Sequence, residues 1–161
     1  MFKKIFGKLF ADEPKQSFDE PRIIEVKSKR ALRKYGGRKK LIAPPSSYAE
    51  LMRMVPEGKL ITKDSIREYL IKKHQADYVD MLTSEIYINL VANESFEGKI
   101  EEVPYWRTVD IDGRLNPKFP GGIESQKRLL ESEGHKIVQK DKFYYLKHYK
   151  NKLFKFPETV K

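Results

Sequence analysis

The sequence contains no cysteine, and this absence constrains the fold more than any other feature. It excludes a disulfide framework, a thiolate zinc site, an iron–sulfur centre and any cysteine nucleophile. The fold must therefore be held by a hydrophobic core, for which 161 residues with 39% hydrophobic and 12% aromatic side chains suffice. No apolar run reaches the roughly 18 residues of a transmembrane helix, so none is expected.

Positive charge is concentrated at the two ends of the chain. The whole chain has a net charge of +10. Residues 1–45 contribute +8, residues 46–135 contribute −4, and residues 136–161 contribute +6. An excess of this kind indicates a polyanionic partner, either nucleic acid or an acidic membrane surface. The flanks rather than the middle of the chain would supply the attraction.

The first ten residues combine an apolar stripe with lysines on the opposite side, the pattern of a short amphipathic helix. Such a helix would lie on an anionic membrane or in the groove of a partner, or it would pack on its own domain. Its apolar face would consist of Phe2, Ile5, Phe6, Leu9 and Phe10.

A second basic stretch carries eight Lys or Arg side chains between residues 27 and 40. It would either track DNA phosphates or remain a solvated tail. We therefore expect residues 1–45 to form a basic, partly disordered arm. Its candidate DNA contacts are Arg33, Lys34, Arg38, Lys39 and Lys40.

From residue 46 onward the local signals predict a mainly α domain. Ser46 or Ser47 can cap a short helix through about Met54, and Thr62 is a good N-cap for a second helix. A third helix over 79–93 completes a helix-turn-helix arrangement. Its core-facing residues would be Val79, Leu82, Ile86, Leu90 and Val91. Its outer, DNA-facing side would carry Thr83, Ser84, Tyr87 and Asn89.

The remaining signals predict a last helix followed by a β-hairpin. The helix runs from Ile123 to Glu133 and ends at Gly134, a residue suited to the position after a helix. Residues 137–146 then resemble a basic wing, in which Lys140 and Lys142 are candidate DNA contacts. The expected fold class is α+β, mainly α with a small β-hairpin. The winged helix-turn-helix domain would span 46–150, with a basic tail over 151–161.

These motifs resemble the DNA-binding domain of alkylguanine-DNA alkyltransferases. The segment from Val55 to Thr62 resembles the one that opens that domain. Residues 104–108, Pro-Tyr-Trp-Arg-Thr, occupy the place of the family's active-site motif, Pro-Cys-His-Arg-Val. Several later residues follow at nearly the family's spacing, and the match over 46–137 resembles the cysteine-less, alkyltransferase-like branch. These residues are Gly113, Gly121, Gly122, Leu129, Leu130, Glu133, Gly134 and His135.

The resemblance implies that the family's reaction is lost. In the family a cysteine, activated through a histidine and a glutamate, accepts an alkyl group from a flipped-out guanine. Here Tyr105 stands at the cysteine position and Trp106 at the histidine position, while Glu133 keeps the glutamate with nothing left to orient. A phenol with a pKa of about 10 is a poor substitute for an activated thiolate. We therefore expect no catalytic residue and no enzyme activity.

The resemblance also implies a pocket for an extruded base. In the cysteine-less branch an aromatic residue at the cysteine position lines this pocket, so Tyr105 and Trp106 would stack on a base or pack in the core. Phe119 lies in the loop that closes the family's pocket. Arg107 matches an arginine that holds a carboxylate or a carbonyl. The pocket candidates are Tyr105, Trp106, Phe119, Arg107 and Glu133.

Two DNA-contacting positions of the family are altered. Lys63 stands where the family has a tyrosine that pushes the target phosphate, and it could bind phosphate beside Thr62. Ser84 aligns with the family's arginine finger and is too short to fill the gap that an extruded base leaves. The third helix also carries acidic residues, which disfavour an approach to DNA.

We expect a non-enzymatic DNA-binding protein that recognises a damaged or flipped base without alkyl transfer. The alternative is a scaffold protein that reuses this fold and docks to an assembly or a membrane through its amino-terminal helix and basic flanks. No cofactor, metal or small-molecule substrate is expected, since the three histidines lack zinc-site spacing. With no signal peptide and no transmembrane helix, a cytoplasmic location is expected.

Overall fold

The computed structural model describes residues 19–158. The amphipathic pattern of residues 1–10 lies outside this range, so its helix and its docking role stay predictions. Within the range, no helix combines the length and the apolar character needed to cross a membrane.

The described residues form five α-helices, seven short strands and two 3₁₀ turns. The helices are α1 (Lys29–Tyr35), α2 (Pro45–Arg53), α3 (Lys63–His74), α4 (Met81–Phe96) and α5 (Gly122–Ser132). The strands are β1 (Arg22–Glu25), β2 (Lys39–Ile42), β3 (Ile61–Thr62), β4 (Tyr78–Val79), β5 (Thr108–Val109), β6 (Ile137–Lys140) and β7 (Phe143–Leu146). The 3₁₀ turns span Tyr105–Arg107 and Tyr149–Lys152. The strands form three sheets, ordered β1–β2–β4, β3–β5 and β6–β7.

The expected disordered arm is folded from residue 22 onward. Strand β1 pairs antiparallel with β2, and β2 pairs parallel with β4, so that Lys40 lies beside Tyr78. Tyr35 at the end of α1 stacks on Tyr78 with ring centroids 4.0 Å apart. Gly37 leaves no room for a Cβ against the Asp77 side chain. Residues 22–42 of the predicted arm are therefore ordered, because this sheet joins them to the helical domain.

The helix-turn-helix begins much as predicted. The Thr62 hydroxyl accepts a hydrogen bond from the Ser65 backbone N–H at 3.1 Å and caps α3. The α2 cap differs, because helix α2 begins one residue after Pro44 and has no side-chain cap. Ser46 and Ser47 therefore lie inside the helix rather than at its cap.

Helix α4 lies at the centre of the fold and is buried on all sides from Tyr87 to Ala92. It packs against α2 and against the first 3₁₀ turn. A helix that is covered all round has no solvent-facing polar side, so an amphipathic reading of its sequence fails. The predicted core residue Leu82 lies in the first turn, before this buried stretch, and is 62% exposed. Ser84, Tyr87 and Asn89, which were expected to face outward, are buried.

The carboxy-terminal half follows the predicted order. Helix α5 ends before Gly134, which adopts a left-handed φ of 91°. Strands β6 and β7 form the predicted antiparallel hairpin, with Ile137 opposite Leu146. We call this hairpin, residues 137–146, the wing. The following segment returns to the domain, because the Phe154 N–H donates to the Leu60 carbonyl at 2.7 Å.

Candidate functional site

The three aromatic residues predicted to line a base pocket lie together. The Tyr105 ring makes T-shaped contacts with Trp106 and with Phe119, each with centroids 5.4 Å apart. Tyr105 is 5% exposed and Phe119 is 2% exposed, while Trp106 is half-buried. In this arrangement the rings of Trp106 and Phe119 cover that of Tyr105. With only 5% of its surface exposed, Tyr105 is not open to a base in this conformation.

The Tyr105 hydroxyl is poorly placed to act as a nucleophile. Burial raises the pKa of this phenol above its ordinary value of 10.0. Within residues 19–158 the hydroxyl makes no hydrogen bond, so no described side chain is positioned to remove its proton. Tyr105 therefore stays protonated at neutral pH.

Glu133 is the centre of a buried hydrogen-bond network. Its carboxylate accepts from the Trp106 indole Nε1–H at 2.7 Å and from the Gly58 backbone N–H at 3.0 Å. Arg107 donates to the same carboxylate through Nε and Nη2, at 3.0 and 2.9 Å. The prediction that Glu133 has nothing left to orient is wrong, because an indole N–H replaces the expected partner.

The predicted structural role of Arg107, to hold a carboxylate or a carbonyl, is confirmed. Besides Glu133, it binds the Val55 carbonyl, to which Nη1 donates at 2.8 Å. The Arg107 and Glu133 side chains are only 14% and 5% exposed. Burial opposes ionisation of Glu133, but the hydrogen bonds from Arg107, Gly58 and Trp106 outweigh it and lower the pKa of the carboxyl below 4.5. This network joins α5, the first 3₁₀ turn and the loop before β3.

Lys63 is neutralised inside the protein. Its Nζ lies 2.7 Å from Glu85 Oε2 and 3.0 Å from Asp110 Oδ1, and its side chain is 7% exposed. Glu85 also lies near Arg67, which pairs with Asp64. The prediction that Lys63 binds phosphate is therefore wrong. Its neighbour Thr62 is 8% exposed, and its hydroxyl accepts the hydrogen bond that caps α3, so Thr62 is not a DNA contact either.

The four residues of α4 that were predicted to contact DNA interact with other residues of the protein instead. Ser84 accepts from Arg67 Nη1 at 3.4 Å, and Asn89 accepts from the Asn116 amide at 2.8 Å. Tyr87 packs edge-on against Tyr48 in the core, with centroids 5.8 Å apart. Thr83 is half-buried and donates its hydroxyl hydrogen to Asp80 at 2.8 Å. The prediction that these four residues read DNA is wrong, because α4 presents a different face.

That different face begins with two residues that sequence reasoning missed. Met81 and Leu82, in the first turn of α4, are 58% and 62% exposed. The Asp80 carboxylate accepts from the Thr83 N–H at 3.0 Å and fixes where the helix starts. An aspartate before an apolar run is a helix-start signal, so this cap was available in the sequence.

The predicted cationic contacts are largely solvent-exposed. Lys140 and Lys142 lie at the tip of the wing, where Lys142 and Arg114 approach the Phe143 ring at 5.7 and 4.7 Å. A cleft of about 370 Å³ separates this tip from the Lys63 ion pairs. Along α1 and β2, Lys40 is half-buried and the other predicted contacts are exposed: Arg33, Lys34, Arg38 and Lys39.

No cluster of three or more histidine, aspartate or glutamate side chains within residues 19–158 is arranged to hold a metal ion.

The fold is the mixed α+β fold of alkyltransferase carboxy-terminal domains, as predicted. The structure is similar to that of S. pombe Atl1 in complex with damaged DNA containing O6-carboxymethylguanine. The TM-score is 0.52 at 20% identity, over 69% of this chain and 94% of that one. A structure of S. pombe ATL in complex with DNA has a TM-score of 0.48 at the same identity and coverage. No protein-family model and no curated protein sequence matches the chain significantly.

Proposed function

We propose that this protein binds duplex DNA and does not transfer an alkyl group. The observation that carries the proposal is the exposed positive charge of α1, β2 and the wing, on a fold similar to that of Atl1, which was solved with damaged DNA. Exposed lysines and arginines bind phosphates by releasing counterions, which favours a polyanion over a neutral partner.

The acidic residues of the middle segment are compatible with this proposal. Asp64, Glu85 and Asp110 all lie in ion pairs with Arg67, Lys63 or Arg114. A carboxylate paired at this distance repels phosphates far less than an isolated one, because the two opposite charges largely cancel at distances well beyond their separation. These pairs reduce the negative charge that DNA would meet near α3 and the start of α4.

The chemistry of the site supports the proposed absence of alkyl transfer. Tyr105 has a raised pKa and no described hydrogen-bond partner, so it cannot supply the anion that attacks an alkyl carbon. Glu133 is engaged by Trp106, Arg107 and Gly58, which leaves it no part in activating Tyr105.

Duplex binding is expected to weaken steeply with salt and to depend on the wing. Replacing Lys140 and Lys142 with alanine should lower affinity several-fold and reduce the slope of log affinity against log salt by about two. Fluorescence anisotropy with a labelled duplex over a salt series measures both quantities. The matched control is Lys72→Ala with Lys73→Ala, which removes the same charge at the far end of α3. Equal slopes for the two variants would contradict a wing contact.

A second candidate function is the recognition of an alkylated base, and one observation favours it. The Tyr105 hydroxyl makes no hydrogen bond to another described residue, and the resemblance of residues 104–108 to the family's active-site motif aligns it with the reacting thiol. We expect a duplex with one O6-carboxymethylguanine to bind about three- to tenfold more tightly than the unmodified duplex, the worth of one neutral hydrogen bond. Tyr105→Phe keeps the ring and should abolish this preference. Equal binding of both duplexes by the wild type would leave duplex binding alone.

A further inference from the structure

Another cleft, of about 630 Å³, lies between the wing and the second 3₁₀ turn. Because side chains alternate between the two faces of a strand, Ile137 and Tyr144 pack against the core while Val138 and Tyr145 line the cleft. The volume falls within the range of about 300–1,000 Å³ that is usual for sites holding small ligands. The cleft is therefore large enough for a ligand and lies on the face of the wing that the core does not use.

Two tyrosine rings line this cleft in positions that the fold defines. The Tyr149 hydroxyl donates to the Ile111 carbonyl at 2.7 Å, and its ring lies so close to Gly113 that an added Cβ would approach it to 2.6 Å. Tyr145 extends from β7, where it pairs with Val138. Both rings are half-buried, and among residues 19–158 neither contacts another aromatic ring. A flat ligand that stacked here would pay little to order its platform.

Positive charge surrounds the two rings. Lys140 and Lys150 line the cleft and are exposed, and neither forms an ion pair with a described carboxylate. His148 adopts a left-handed φ of 57° as the chain passes from β7 to the 3₁₀ turn that carries Lys150. The one acidic lining residue, Asp112, accepts the Arg114 backbone N–H at 3.2 Å. Two unpaired ammonium groups therefore face a single carboxylate, which favours an anionic ligand.

We infer that this cleft binds one unpaired nucleotide, with its base against the Tyr145 ring and its phosphate beside Lys140 and Lys150. Aromatic faces bind a flat base of any sequence, and lysines bind the phosphate attached to it. A duplex keeps its bases stacked inside and would meet only the lysines, and an acidic peptide would gain little from the ring. The nucleotide is either free or the last one of a single strand. This inference does not depend on the proposed duplex binding.

The test is a titration of the full chain with deoxyadenosine 5′-monophosphate, followed by NMR of the backbone amides. We expect saturable shifts at residues 148–151, which line the cleft. Deoxyadenosine and inorganic phosphate should each bind about tenfold more weakly, because each supplies only one of the two contacts.

Two variants separate the ring from the charge. Tyr145→Leu removes the ring, and Lys150→Gln removes one ammonium, and each should weaken binding of the monophosphate about five- to tenfold. Lys147→Gln is the matched control, because Lys147 is exposed, carries the same charge and does not line the cleft. It should bind as the wild type does. Both lysine variants are exposed changes that should keep the wild-type melting temperature, so their comparison holds even if Tyr145→Leu is less stable.

Three results would overturn the inference: no saturable shift at the cleft, inorganic phosphate binding as tightly as the monophosphate, or equal weakening by Lys150→Gln and Lys147→Gln. A duplex with a short single-stranded end, compared by anisotropy with a blunt duplex, identifies the source of the nucleotide. A preference for the single-stranded end that Lys150→Gln abolishes assigns the cleft to a strand end, and equal binding assigns it to a free nucleotide. Failure of the blunt duplex to bind would overturn the proposed function and leave the nucleotide site intact.

Discussion

Replacing Glu133 with alanine is expected to lower the free energy of unfolding by about 3–5 kcal/mol, because it breaks a buried ion pair by removing one partner. Arg107, whose side chain is 14% exposed, would lose its carboxylate, and the Trp106 and Gly58 N–H groups would lose their acceptor. Urea denaturation followed by Trp106 fluorescence measures the loss at the only tryptophan of the chain.

The control and the pH dependence make this prediction specific. Glu131→Ala removes the same charge from an exposed position of α5 and should change stability by less than about 0.5 kcal/mol. Glu133→Gln keeps one acceptor and should be intermediate. The pKa of Glu133 is depressed in the folded protein, so its contribution is complete above the ordinary pKa of 4.5 and is lost as the pH falls through the lower, folded value. A gap between wild type and Glu133→Gln that persists in strong acid would refute this account.

The sequence predicted correctly those elements that are determined by residues a few positions apart. The Thr62 cap depends on a hydrogen bond to a residue three positions later, and the turn at Gly134 depends on a φ that glycine adopts without strain. The wing follows from two short runs of β-branched and aromatic residues on either side of a two-residue turn. Arg107 was expected to hold a carboxylate or a carbonyl, because the resemblance covers that motif, and it holds one of each.

Elements with a distant cause were not predictable. Strand β4 has only two residues, and nothing nearby indicates that it pairs with β2 and draws residues 22–42 into a sheet. The polar residues of α4 were wrongly predicted to face solvent, because their partners are also distant in sequence. Ser84 and Asn89 look solvent-facing in sequence, but their partners Arg67 and Asn116 belong to other segments of the chain. Buried polar residues that satisfy one another across segments cannot be distinguished by periodicity from exposed ones.

Among residues 19–158, the same distinction separates the paired charges around Glu133 and Lys63 from the exposed charges. A lysine in a sequence is counted as a potential phosphate ligand, yet its availability depends on whether a carboxylate from another element reaches it. Lys63 is neutralised by residues 22 and 47 positions away, whereas Lys140 and Lys142 stand exposed on the wing. Net charge therefore overstates what a polyanion would meet near α3.

Lys63→Met is expected to lower the free energy of unfolding by about 2–3 kcal/mol, since Glu85 and Asp110 would lose their shared cation in a largely buried site. The figure lies below that for Glu133 because the Glu85 side chain is 35% exposed and solvent screens part of the loss. Methionine keeps the length of the side chain, so denaturation reports charge rather than packing.

Two measurements, the salt slope of duplex binding and the free energy of unfolding, distinguish a lysine that binds phosphate from one that neutralises buried carboxylates. If Lys63 neutralises carboxylates, Lys63→Met should leave the salt slope of duplex binding unchanged, whereas a phosphate ligand would lower it by about one. Lys118→Met, an exposed change on the rim of the same cleft, should leave stability unchanged. Adding Glu85→Gln and Asp110→Asn to Lys63→Met should restore much of the lost stability, because the carboxylates left without a cation are then removed as well. A triple variant no more stable than Lys63→Met would show that these carboxylates are not what Lys63 stabilises.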